Sequence, residues 1–266
     1  MNLFVVIMIG WMAVALMMFL LWLLHFPIKN AALVDVGWSL GVPLVTMIYS
    51  FLLEAHTIRE ILVLSVSSLW GLRLGLYLLF TRILGHTEEG RYQNLRKTWN
   101  KHTSVKFFLF FQFQGILDLI FSVPFLLILR NPEQSIHPAE WFCLGLWVVA
   151  FSGNGIADAQ LHRFLKQPAN RGRTCREGLW RYSRHPNYFF EFLMWVALAC
   201  MALPSSFGYI AFFIPLLLLY FLFRITGIPA TEAQALRTRG EDYRHYQKTT
   251  SAFIPWIPKR SKSDLH

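Results

Sequence analysis

The sequence predicts an all-α protein, a polytopic membrane helix bundle of about seven transmembrane helices. Hydrophobic residues make up 55% of its 266 positions and charged ones only 15%, against about a quarter charged in soluble domains. Apolar runs recur that are long enough to cross a hydrocarbon core, about 20 residues each. Basic residues gather in alternate connections between those runs.

In chain order the runs fall near 3–25, 32–52, 60–82, 107–129 and 139–157. A longer stretch, 187–228, divides at Pro204-Ser205-Ser206 into two more. The first run lacks a basic leader and a small-residue cleavage site, and a second apolar run follows within a few residues. It therefore reads as a retained span and not as a signal peptide. Segments 83–106, 161–186 and the C-terminal tail hold most of the 25 Lys and Arg, whereas 53–59 and 130–138 hold almost none. Cationic loops stay on the cytoplasmic side, so seven spans with the N-terminus outside put all three basic segments, and the C-terminus, in the cytoplasm.

The same asymmetry accounts for the net charge of +10, which in a soluble chain would suggest nucleic acid; no nucleic-acid partner is expected here. Cys143 and Cys200 lie inside spans and Cys175 in a loop, which gives neither a disulfide framework nor a paired metal motif. The nine His show no ligand spacing, so no metal is expected. Without a repeat or a linker, residues 1–258 read as one domain, and the polar end, 259–266, reads as a disordered tail. Beyond Thr226, Gly227 and Pro229 break the last span, and Glu232-Ala-Gln-Ala-Leu-Arg starts a surface helix.

Polar groups inside spans are costly and usually face a bundle interior or a cavity. They comprise Asp35, Trp38 and Ser39 in the second run, and Arg73, Tyr77 and Arg82 in the third. Gln112, Gln114 and Asp118 lie in the fourth, Asn154, Asp158 and Gln160 close the fifth, and Asn187 and Glu191 open the sixth. Arg73/Tyr77, Asn154/Asp158 and Asn187/Glu191 are each spaced i,i+4, so each pair shares one helix face. Such pairs either fasten helices to one another or line a ligand chamber, and three pairs at similar depth favour the chamber.

Pro186 suits a first helical turn, which sets the positive end of the sixth span beside Arg181, Arg184 and His185. Free N–H groups next to guanidiniums make an anion site. The preceding loop, PANRGRTCREGLWRYSRHP, adds Asn170, Arg171, Arg173 and Arg176, with Gly172 and Gly178 allowing close backbone approach. Positive-inside anchoring alone would explain the number of charges but not the Asn, the glycines and the proline among them. In the tail, Glu232, Tyr243 and Tyr246 stand on an amphipathic stretch. Dinucleotide-fold, P-loop, serine-hydrolase and zincin motifs are absent from the sequence.

The segment from Asp158 to Glu191, with DVGW at 35–38, RLGLYLLFTR at 73–82, EEGRY at 88–92 and GIPATEAQALRTRGEDYRHYQKTTSAFIPW at 227–256, resembles a bacterial integral-membrane domain of unknown function related to the steroid 5-alpha-reductases. A more distant likeness, through Arg-His-Pro-x-Tyr, reaches the isoprenylcysteine carboxyl methyltransferases. The first resemblance implies a seven-helix fold in a bacterial cytoplasmic membrane. Its cytoplasm-facing chamber, about residues 140–258, would bind NADPH and reduce an activated carbon–carbon double bond in a lipid or steroid-like substrate. It further implies cofactor contact from Arg73, Tyr77, Asn154, Asp158, Arg163, Asn187 and Glu191. Asn170, Arg171, Arg173, Arg181, Tyr182, Arg184, His185 and Tyr188 would lie near the phosphates, with Glu232, Tyr243 and Tyr246 in the covering segment. Glu232 stands where the characterised steroid enzymes have a histidine, Trp70 falls near their tyrosine position, and Phe190 replaces their glycine. Asp35 or Tyr77 would donate to the developing enolate oxygen, Asp35 only if protonated.

The pyrophosphate and 2′-phosphate of NADPH call for Arg forks. S-adenosylmethionine, the cofactor of the methyltransferase alternative, does not. A non-catalytic membrane protein or transporter is the remaining alternative, and it would place ionisable groups near the midplane between inverted repeats.

Overall fold

The computed structural model describes residues 2–54, 58–133, 135–225 and 227–259. All but the first residue of the expected tail, 259–266, lies outside the described residues. Among the described residues the regular structure is helical, with one isolated bridge between Ser183 and Ser251.

Six helical stretches are long and apolar enough to span a membrane: Leu3–Ile28, Leu33–Leu53, Ile58–Ile83, Thr103–Leu129, Pro138–Lys166 and Gly208–Arg239. Pro186–Ala202 is a shorter apolar helix of 17 residues. These seven match the seven runs of the sequence. The apolar part of Gly208–Arg239 ends at Ile225, since Glu232, Gln234, Arg237 and Arg239 follow. The chain divides into two compact units: 1–136 with 202–208, and 137–201 with 209–266.

The first unit begins with α1 (Leu3–Ile28), whose first turn is capped by Asn2 Oδ1 accepting from Phe4 N at 3.0 Å. α2 (Leu33–Leu53) and α3 (Ile58–Leu78) approach closely because glycines line their seam. A Cβ on Gly71 would sit 2.4 Å from the Ser39 carbonyl and from Pro43 Cγ. Pro43, inside α2, has no N–H for that carbonyl, which helps explain why α3 keeps a glycine against it. After a π turn at Leu79–Ile83 come the polar α4 (Gly90–Trp99), then α5 (Thr103–Phe121) and α6 (Val123–Leu129), parted at Ser122 just before Pro124. Asp118 of α5 is fully buried against Gly41, and neither carboxyl oxygen has a hydrogen-bond partner among the described residues.

The second unit opens with α7 (Pro138–Lys166), started by Pro138 and by Glu140 Oε2 accepting from His137 N at 2.8 Å. Its 29 residues give about 44 Å of helix at about 1.5 Å per residue. The helix therefore runs well past residue 157, where the apolar pattern stops, and carries His162, Arg163 and Lys166 outward as exposed side chains. α8 (Pro186–Ala202) buries Met194 and Trp195. The last apolar stretch comprises a 3-10 turn at Gly208–Phe212, α9 (Phe213–Tyr220) and a π turn at Phe221–Ile225. α10 (Ile228–Arg239) and α11 (Glu241–Thr249) are short and polar.

Candidate functional site

In the second unit the two predicted pairs meet. Asn154 Nδ2 donates to the Asn187 carbonyl and to Glu191 Oε2, both at 3.1 Å. Asn187 Nδ2 donates to Asp158 Oδ1 at 3.2 Å, and Trp195 Nε1 donates to Glu191 Oε1 at 3.0 Å. The i,i+4 spacing thus puts amides and acids of α7 and α8 against one another, as the pattern requires. One role of these groups is to lock the two helices together.

The basic loop between the helices is built onto α7. Leu179 N donates to Gln160 Oε1 at 2.9 Å, and Trp180 Nε1 donates to the Ala157 carbonyl at 2.9 Å. Gly178 has φ +56°, and a Cβ there would strike the Gln160 amide at 2.2 Å, so this turn needs glycine on both counts. Asn170 Nδ2 donates to the Phe164 carbonyl at 2.9 Å and to Gln167 Oε1 at 3.1 Å, closing the C-terminal end of α7.

Where the loop enters α8, the predicted phosphate ligands part into two sets. Arg184 is turned inward, with Nε donating to Glu232 Oε1 at 2.7 Å and Nη1 donating to the carbonyls of Gln247 at 3.0 Å and Thr250 at 2.7 Å. His185 is buried, its Nε2 3.2 Å from Glu232 Oε1 and its ring stacked on Tyr188 at 5.2 Å. Gln247 Nε2 donates to Glu232 Oε2 at 2.7 Å. Burial works against the charge of Glu232, but the hydrogen bonds from His185, Arg184 and Gln247 outweigh it and lower the carboxyl to about 2. Tyr246 and Tyr243 are buried as well. Tyr246 Oη donates to the carbonyls of Trp180 and Ser183, which pins α11 to the loop. Burial first, then the neighbouring phenol, pushes the Tyr246 hydroxyl up, and burial with the nearby Glu232 charge does the same for Tyr243. Arg184, Tyr243 and Tyr246, all expected at the cofactor, are turned toward partners inside the unit.

The second set is open. Arg163, Arg171, Arg173 and Arg181 are exposed, as is Tyr182, and none of the four guanidiniums pairs with an acid among the described residues. Arg176 and Arg244 are paired instead, with Asp242 at 2.7 Å and with Glu241.

Asp35, Arg73 and Tyr77 belong to the first unit. Arg73 is partly buried on α3, and Tyr77, one turn on, is 39% exposed. Asp35 sits in an ionic network. It accepts from Arg91 Nη2 at 2.9 and 3.0 Å, from Tyr92 Oη at 2.7 Å and from Arg82 Nη1 at 3.5 Å, while Arg82 also reaches Glu89 at 2.9 Å. Glu88 accepts from Arg96 at 2.8 and 3.0 Å and from Ala31 N at 2.8 Å. Burial, then the Asp35 charge, pushes the Tyr92 phenol up, so it donates and does not ionise. Asp35, considered as a donor, accepts here from two guanidiniums and a phenol. Arg91, Tyr92 and Glu88, residues of EEGRY, received no role from sequence reasoning. Their signal was that run of opposite charges beside the third span.

No group of three or more potential metal-ligating side chains occurs among the described residues. A comparison with the curated proteins gives no match. The family described as a protein of unknown function, DUF1295, matches residues 21–250, so this helical membrane chain belongs to that family.

Proposed function

We propose that the chain is a membrane-embedded, NADPH-dependent reductase of an activated carbon–carbon double bond in a lipid or steroid-like substrate, working from the cytoplasmic face of a bacterial inner membrane. The observation that carries this reading is the exposure of Arg163, near the end of α7, and of Arg171, Arg173 and Arg181, in the loop that follows it, with no acid partner for any of the four among the described residues, whereas Arg176 and Arg184 of the same loop are paired. Planar, permanently charged forks suit phosphate oxygens. A nicotinamide dinucleotide phosphate fits this donor set, whereas a sulfonium cofactor makes no use of it. The resemblance to steroid 5-alpha-reductases supports the same choice.

In this reading the four exposed arginines hold the phosphates. The Arg184–Glu232–His185 cluster and the Gln160 and Trp180 contacts fix the loop that presents them. The Asn154–Asn187–Glu191 bonds keep α7 and α8 in register beneath it. NADPH, when bound, supplies the hydride.

Detergent-purified protein tests this. NADPH should raise its melting temperature saturably, and Arg171→Ala with Arg173→Ala should weaken that protection about tenfold or more, as loss of charge-assisted contacts predicts. Protection by S-adenosylmethionine with none by NADPH would install the methyltransferase reading in its place.

A further inference from the structure

The non-helical segment that follows α11, Ser251 to Lys259, is fastened at several points within its own unit. Arg184 N donates to the Ser251 carbonyl at 2.8 Å and Ser183 Oγ to the Phe253 carbonyl at 2.7 Å. Trp256 N donates to the Tyr182 carbonyl at 2.9 Å and Lys259 N to the Thr249 carbonyl at 2.8 Å. Phe253 is buried, its ring 5.7 Å from Phe189, 5.8 Å from Phe192 and 5.3 Å from Phe223. The backbone is thus pinned, yet Ile254, Trp256 and Ile257 are 60%, 70% and 77% exposed. With Tyr182, Trp256 and Ile257 also line a shallow pocket beside Pro255.

A segment held this firmly could have turned its apolar side chains inward. Leaving three outward in water forgoes about 25 cal/mol for each Å² of apolar surface, whereas a bilayer interface favours them, Trp above all. Phe223, against the anchor Phe253, is itself 42% exposed, and the neighbouring last apolar helix exposes Tyr220 and Ile225 at 57% and 51%. The outward apolar surface of a candidate span therefore continues onto this strap. Charge agrees: Arg181, Lys248 and Lys259 are exposed next to it, while the nearby acids Glu232, Glu241 and Asp242 are each paired with an arginine.

We propose that the strap 251–259, with Tyr182, is a membrane-interface anchor whose partner is the headgroup layer of a bilayer containing anionic phospholipid, with Trp256 and Ile257 seated among the lipids and Lys248 and Lys259 against their phosphates. The proposal stands apart from the reductase reading, because its experiment needs no nucleotide.

The full chain, reconstituted in phosphatidylcholine nanodiscs with about one-third phosphatidylglycerol, is compared with Trp256→Phe, a substitution mild enough to leave the fold intact. The difference between the two fluorescence spectra is the emission of Trp256. Brominated lipid should remove most of that emission, while acrylamide in the aqueous phase should barely reach it. Replacing phosphatidylglycerol by more phosphatidylcholine, or adding salt, should shift the balance toward acrylamide. A Trp256 signal untouched by brominated lipid and fully quenched by acrylamide would overturn the anchor. Indifference to lipid charge and salt would overturn its basic component.

Discussion

Arg184 and Glu232, 48 residues apart in sequence, meet at 2.7 Å with side chains only 12% and 14% exposed. Nη1 of the same guanidinium donates to two backbone carbonyls, and His185 and Gln247 serve the carboxylate. Glu232→Ala strands a largely buried cation and should destabilise the second unit by about 2–3 kcal/mol. A drop of several degrees in melting temperature, without change in the span content measured by far-ultraviolet circular dichroism, is the expected result.

Acid should undo the same contact. Glu232 titrates at about 2 in the folded chain against 4.5 in a free side chain. A depressed folded value means that its contribution is complete above about pH 4.5 and fades as pH falls toward about 2. Melting curves of wild type and Glu232→Gln should therefore differ most near neutrality and converge through that window. A gap that stays constant down to about pH 2 would show that charge on Glu232 is not what stabilises the cluster.

Gly71, on the α2–α3 seam, and Gly145, on α7, should respond to alanine in opposite ways. Gly71→Ala drives a methyl group to 2.4 Å from the Ser39 carbonyl, a backbone atom that cannot step aside. Loss of most folded protein in a detergent size-exclusion profile is expected. At Gly145 nothing lies within 4 Å, and alanine there should stabilise α7 by about 0.5–1 kcal/mol through helix propensity.

In the Asp35 network, Arg91→Ala removes the guanidinium closest to the carboxylate, and Tyr92 and Arg82 remain. The loss should be about 1–2 kcal/mol, and Arg91→Lys should recover much of it, because a single nitrogen, Nη2, makes both carboxylate contacts and an ammonium can stand in for it. Thermal melts of the two variants side by side check this.

What the sequence made legible follows from range. The seven apolar runs are local patterns, and each is a helix in the structure. The pairings of Asn154 with Glu191 and Asn187 with Asp158 were half visible: i,i+4 spacing showed that each pair shares a face but not which face it meets. The acid partner of Arg184 lies 48 residues downstream, and no local pattern marks the two as a pair. Asp35 drew attention as an acid at a span end, whereas Arg91 and Tyr92 reach it from 56 and 57 residues away. The end of α7 was set too early because hydropathy follows lipid contact, whereas helical hydrogen bonding continues through Arg163 and Lys166 into water.

That overrun bears on how this chain can vary. A helix turns about 100° with each residue, so inserting a single residue between Gln160 and Arg163 would swing the exposed basic side chains more than a quarter turn away from the Gln160 contact that seats the loop. Beyond Lys166 the constraint relaxes, since Gly172 projects into open space at φ +74°. Insertions and deletions among related chains should accordingly spare the rod that ends at Lys166.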